Sequence, residues 1–333
     1  MRTIFFLKNN TILYWDNVVM VLAMVLFAFL FYTLYVSGGG KRRVLLLYIP
    51  LAVGLSFLCS RLLYWFCHQE QFAGIAGAFA QALTPGYCMT GVLVGTLLAA
   101  LLTRLTTLEK KTLRILDAVG PSLAFTFGVL RLSALFNETC RGKIEVLTEN
   151  NRHLPLAATI TNALGETEYR LATFMLEAIL FFLLFVVLLF LFIRLHYSKK
   201  YSKKKFPRTG AVYYLAVVMI GSVEMILDST RYDSCFMPFN GFVSLVQILS
   251  AVSALAAFVL IVIRCVRKNG WSVPAILCSV FFLACIAGVG ITEYLIQRHG
   301  DWYRSCYLGM GIACLGMDVL AVLMTFFTKK IHK

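Results

Sequence analysis

Little of this sequence is charged, and the charge it has leans one way. Charged residues make up 14% of the chain, 16 acidic against 31 basic, while 60% are hydrophobic and mean hydropathy is +0.80. That scarcity excludes a soluble globular protein, in which about 25% of residues are charged. Histidine is nearly missing, at five residues, and none falls within a predicted span. The ten cysteines form no C-x-x-C pair and no Cys/His metal spacing, so neither a metal site nor a cofactor is expected. Most of them lie in apolar runs, where a thiol acts as a small hydrophobe. There is no internal repeat and no low-complexity linker, which leaves one membrane domain.

Present instead are nine apolar runs long enough to cross about 30 Å of hydrocarbon. They lie at roughly Val18 to Val36, Val44 to Cys67, Gly86 to Thr103, Ile115 to Phe136, Leu171 to Ile193, Thr209 to Leu227, Phe242 to Ile263, Val273 to Ile291 and Ser305 to Phe327. The first has no small-residue cleavage site and reads as a retained helix. An all-α polytopic membrane protein is therefore expected. Basic residues concentrate in alternate loops: one set holds twenty Lys and Arg, the other nine, and Arg61 and Arg131 lie within spans. Positive loops stay in the cytoplasm, which places the N-terminus outside and the C-terminus inside. This asymmetry accounts for the net charge of +15 without nucleic acid as a partner.

Outside the spans, residues Gln69 to Pro85 are rich in Gly and Ala and read as a re-entrant or interfacial element, allowed only where its backbone is satisfied. Residues 137–170 form the longest loop, expected as a small external cap containing a hairpin around VLTENNRHLPLAATIT. Asn137-Glu138-Thr139 matches a glycosylation triplet, a weak signal. Cys140 and Cys235 both fall outside the membrane, where a disulfide between them is possible.

A helix rises about 1.5 Å per residue, which puts Arg61, Arg131, Glu177 and Glu224 all about 5 to 9 Å below the outer surface. Thr90 and Gly91 are at a similar depth. An arginine in hydrocarbon costs roughly 3 kcal/mol or more, so it needs partners. The four charges can pair two by two with no further purpose. Alternatively, Arg61 and Arg131 hold an anionic lipid headgroup reached from the outer leaflet, since guanidinium makes forked bonds to phosphate. Asp117 opens its span and reads as a cap of its own helix. Asp318 sits mid-span with no partner evident in the sequence.

The stretch DAVGPSLAFTFGVLRLSALFNETCRGK, Asp117 to Lys143, resembles the signature helix of the prolipoprotein diacylglyceryl transferase family, with Asp117, Pro121, Arg131, Asn137 and Gly142 in matching order. Cys59-Ser60-Arg61-Leu62-Leu63-Tyr64 is similar to the family's Gly-Ala-Arg-Leu-Gly-Tyr. Arg170 to Ala178 resembles its Arg-His-Pro-x-Gln-Leu-Tyr-Glu-Ala, and Val223-Glu224-Met225-Ile226 its Val-Glu-Phe-Phe. Phe242 to Ser250 is similar to its closing Ser-x-Gly-Gln-x-Leu-Ser. The resemblance covers about Val18 to Ile263, so residues 1–263 form a seven-helix core and 264–333 a two-helix addition. It implies transfer of a diacylglyceryl group from phosphatidylglycerol to the lipobox cysteine of a prolipoprotein signal segment, in the bacterial cytoplasmic membrane. It also implies Arg131, Glu177 and Glu224 as catalytic, with Arg61, Tyr64, Thr90, Gly91, Asn137 and Gly142 binding substrate. The chain departs from the family pattern at Thr90, where a histidine is usual, at Ser133-Ala134 for Gly-Asn, at Leu176 for Tyr and at Ile220 for Arg. Three functions stay open: a divergent transferase using His68, His153 or Arg131 alone, a silent relative that binds phospholipid or signal segments, and an unrelated transporter or scaffold.

Overall fold

The computed structural model describes residues 4–8, 11–81, 84, 86–106, 109, 111–143, 156–161, 164–197, 209–237, 240–299 and 302–327. Its helices are α1 (Trp15–Ser37), α2 (Arg42–Cys67), α3 (Gly74–Ala80), α4 (Met89–Leu105), α5 (Thr112–Leu132), α6 (Thr173–Tyr197), α7 (Ala211–Thr230), α8 (Leu245–Asn269), α9 (Val273–His299) and α10 (Tyr303–Phe326). Eight are long and apolar enough to span a membrane, and α4 is a shorter apolar helix in the same bundle. The protein is an all-α polytopic membrane protein. Several helices overrun the predicted spans, because apolarity stops at the membrane surface and backbone hydrogen bonding does not. In this way α6 continues far enough to include His196, stacked on Phe192.

Three two-stranded antiparallel sheets crown one end of the bundle: β1 (Ile4–Lys8) with β2 (Thr11–Tyr14), β3 (Ala157–Thr161) with β4 (Thr167–Leu171), and β5 (Phe236–Met237) with β6 (Asn240–Ser244). We refer to this as the hairpin end. The β3–β4 pair supplies a hairpin in the expected cap, while residues 144–155, including His153, lie outside the described residues.

The centre of the bundle is α5 and α7. Small residues make this possible: a Cβ on Gly120 would come within 2.9 Å of the Ala216 Cβ on α7. Asp117 does not cap its own helix, which begins at Thr112. Its carboxylate accepts from the Gly210 and Tyr213 amides and so caps α7; an interhelical cap cannot be read from one helix's sequence. Around this pair, α1, α4 and α6 pack on α5, and α6, α8 and α10 pack on α7. Asp318 of α10 finds its partner there, accepting from Ser222 Oγ of α7 at 2.8 Å.

The α2–α4 contact is the tightest. Gly91 and Gly95, one turn apart on α4, meet the backbone of Ser60 and Ser56, and a Cβ on either would lie 2.4 Å from a Cα of α2. This is small-residue packing, in which lipid-embedded helices gain dispersion contacts by close approach. Gly91→Ala must push the two backbones apart, and a marked fall in melting temperature of the detergent-solubilised protein is expected.

Candidate functional site

Arg131, at the hairpin end of α5, is buried and surrounded by partners from three other segments. Its Nε contacts Glu177 Oε2 of α6. Its Nη2 donates to both oxygens of Glu224 of α7, at 3.1 and 3.3 Å, and Nη1 donates to Cys140 Sγ at 3.2 Å. Two carboxylates thus share one guanidinium, each held by a different nitrogen of it.

Beside this cluster lies a cavity of about 230 Å³. Its polar lining includes Arg131, Glu224, Arg231, Asp233, Asn137 and Asn17, and its apolar lining comes from Met20, Met24 and Phe27 of α1, Val53 and Phe57 of α2, Val92 of α4 and Leu123 and Leu130 of α5. Glu224 lines it; Glu177 stands behind Arg131 and does not. The space therefore has a charged end and an apolar body. Asn17 Nδ2 is buried without a partner, which leaves a donor available to an occupant.

Arg231 is the residue that sequence reasoning missed. It follows α7 and lines the same cavity, with Nε on Asp233 Oδ1 at 3.1 Å and Nη1 at 3.5 Å from Asp228 Oδ1. Arg231 in turn holds the Asp233 carboxyl below the ordinary aspartate range in spite of its burial. Nothing in the hydropathy pattern marks it, since it falls just beyond a span. Cys140 is the one non-glycine with positive φ (56°) among the described residues. Its backbone is fixed by N–H donation to Asp233 Oδ2 at 3.0 Å, so the turn that aims its thiol at Arg131 is tied to the Arg231 loop. Burial pushes that thiol up to about 11, against the pull of Arg231 and Arg131.

Arg61 does not join this cluster. It is fully buried, and its guanidinium donates to backbone carbonyls of α3 and the segment that links it to α4: Nε to Ala78 at 2.9 Å, Nη1 to Gly86 at 2.7 Å and Nη2 to Gln81 at 2.7 Å. Equal depth fixed its height in the bundle, and the segment's unsatisfied carbonyls took its donors. Of the four charges placed at one depth, three thus converge, with Arg61 building the wall next to them.

Tyr64 lines the cavity, its ring stacked on His68 at 4.2 Å; His68 does not reach the lining. Thr90 is buried and its hydroxyl is 3.0 Å from Cys88 Sγ, while Gly91 serves the α2–α4 contact. Asn137 lines the cavity, donating to Asp16 Oδ2 at 3.2 Å and accepting from the Thr139 hydroxyl; this burial removes it as a glycosylation acceptor. Gly142 donates its N–H to Leu171 O at 2.8 Å, and a Cβ there would strike Leu171. All ten cysteines are free thiols, so Cys140 and Cys235 are not joined.

A family model described as prolipoprotein diacylglyceryl transferase matches residues 2–263. The chain belongs to the prolipoprotein diacylglyceryl transferase family. A search of the curated proteins finds no match. Family membership supports transferase activity in lipoprotein biosynthesis, with lipid and prolipoprotein substrates. The matched region of this diacylglyceryl transferase relative contains every residue of the Arg131 cluster, and α9 and α10 lie beyond it.

Proposed function

We propose that the protein transfers the diacylglyceryl group of phosphatidylglycerol to the lipobox cysteine of prolipoproteins, in a bacterial cytoplasmic membrane with the hairpin end facing outward. The observation that carries this reading is the cavity itself: two guanidinium groups at one end and an apolar wall from α1, α2 and α5 match the two halves of a phospholipid. Its volume suits the headgroup and glycerol; the acyl chains would run out between helices into the bilayer.

On this reading Arg131 and Arg231 hold the phosphate through charge-assisted bonds, and Asn17 and Asn137 meet the glycerol hydroxyls. The cysteine thiol loses its proton to Glu224, its sulfur attacks the glyceryl carbon, and the carbon–oxygen bond to phosphate breaks with glycerol phosphate leaving. Negative charge grows on the departing phosphate, where fixed guanidinium groups stabilise it most. Glu177 keeps Arg131 oriented and neutralised while Glu224 changes charge. The chain thus assigns to a carboxylate the proton acceptor that Thr90 cannot supply, since a threonine hydroxyl is no base near neutral pH. The helix α10 acts as an added brace: its Tyr307 donates to Ser229 O at 3.2 Å and its Asp318 accepts from Ser222, both on the helix that carries Glu224.

The test uses labelled phosphatidylglycerol and a lipobox peptide, counting modified peptide. Glu224→Gln should lower the transfer rate roughly a hundredfold or more, the usual size of a general-base effect, with lipid binding retained. Thr90→Ala should leave transfer near the starting level. A second reading, a silent relative that binds phospholipid or signal segments, is favoured by Ala134 and Ile220 at positions where the family carries polar groups. It is chosen if the lipid binds and no peptide is modified, and if the chain does not rescue a strain depleted of its own transferase.

A further inference from the structure

Two cysteines meet at the hairpin end. Cys67 closes α2 and Cys235 opens the turn into β5, and each thiol is the other's side-chain partner. Cys67 Sγ also lies 3.9 Å from Cys235 O. The pair packs with Leu63, Tyr64, Cys88 and Val246 in a small apolar cluster separate from the main core. Cys67 is partly exposed and Cys235 buried. The other thiols near the cavity are engaged elsewhere, Cys140 with Arg131 and Cys88 with Thr90.

We propose that Cys67 and Cys235 form a reversible disulfide that staples the end of α2 to the turn carrying Arg231 and Asp233. The reaction is thiol–disulfide exchange with a small-molecule or protein disulfide in the compartment facing the hairpin end. The more accessible thiol, Cys67, attacks as thiolate, forming a mixed disulfide and releasing one external thiolate. The Cys235 thiolate then attacks Cys67 Sγ and releases the second. Two protein thiols become one disulfide, one external disulfide becomes two thiols, and the two protons go to the released thiolates.

The bond would act on the cavity directly. Tyr64, from α2, and Asp233 and Cys235, from the turn, all line it. Joining Cys67 to Cys235 removes their freedom to separate, so the oxidised form exchanges cavity contents more slowly. Arg231 is fixed by the same link, four residues from Cys235.

Oxidised glutathione added to the full-length protein in detergent, followed by alkylation of remaining thiols and peptide mapping, tests this without any use of transfer activity. The expected product is a Cys67–Cys235 cross-linked peptide that disappears on reduction, with an upward shift in melting temperature and several-fold slower maleimide labelling of Cys140. Cys67→Ser should remove all three effects and leave Cys235 alkylatable. Recovery of Cys67 and Cys235 as separately alkylated peptides overturns the proposal, as does a Cys140–Cys235 bridge in their place. The mapping stands on the unaltered chain even if a serine variant folds poorly.

Discussion

Arg131→Ala abolishes phospholipid binding and transfer together. The guanidinium is held at Nε by Glu177, at Nη2 by Glu224 and at Nη1 next to Cys140, so its removal leaves two buried carboxylates with no cation between them. Stripping one partner from a buried pair costs about 3 to 5 kcal/mol, and here the same group is the proposed phosphate anchor. Loss of roughly two to three orders of magnitude in transfer is expected, the size found on removing one preorganised donor from developing negative charge. Lysine is a poor substitute, since one ammonium cannot present three directed donors to three partners. A lipid-binding isotherm and the peptide assay on the same preparation check both effects. Arg131→Ala with full transfer would refute the assigned chemistry, and Arg131→Ala with binding intact would move the phosphate to Arg231.

Arg61→Lys is expected to be nearly as damaging, through the fold. Ala78, Gln81 and Gly86 give their carbonyls to this one fork, and Thr84 adds its hydroxyl oxygen at 3.0 Å. The rings of Phe72 and Tyr87 flank it at 5.1 and 5.2 Å. Each buried carbonyl left without a donor costs about 1 to 3 kcal/mol, so the α3 segment loses several kcal/mol of anchoring and undocks. Thr84, Gly86, Tyr87 and Cys88 leave the cavity lining with it. Hydrogen exchange should rise sharply over 74–88 while α5 and α7 stay protected. Unchanged exchange there would mean the segment is held by its apolar contacts alone.

Eight of the nine expected spans were legible because a bilayer leaves a coarse signature, some twenty apolar residues and then a turn, while the ninth is the shorter apolar helix α4; the family was legible from its motifs. Depth was legible for the same reason, and it led to Arg131, Glu177 and Glu224. Depth gives height and says nothing of azimuth, so it could not separate Arg61, which turns toward carbonyls, from Arg131, which turns toward carboxylates. Backbone acceptors have no letter in a sequence. Arg231 escaped because it lies one residue past a helix end, where a basic residue looks like any loop charge, and only the fold of the 231–235 turn buries it. Asp117 reads in sequence as a cap of its own helix because a sequence shows neighbours along the chain and not across it.

At 17 residues, α4 is the shortest of the membrane helices, about 25 Å long against a hydrocarbon layer of about 30 Å. A helix that falls short of the slab draws the nearby leaflet inward, because exposing lipid tails to water costs more than bending the film. The helix begins at the hairpin end, beside Cys88 on the cavity wall. Phospholipid headgroups bordering α4 would therefore ride lower than those elsewhere around the protein, close to the level at which Arg131 waits. The shortfall of one helix would shorten the climb down for the substrate, and bilayers of longer-chain lipid would deepen the dimple at a rising elastic cost.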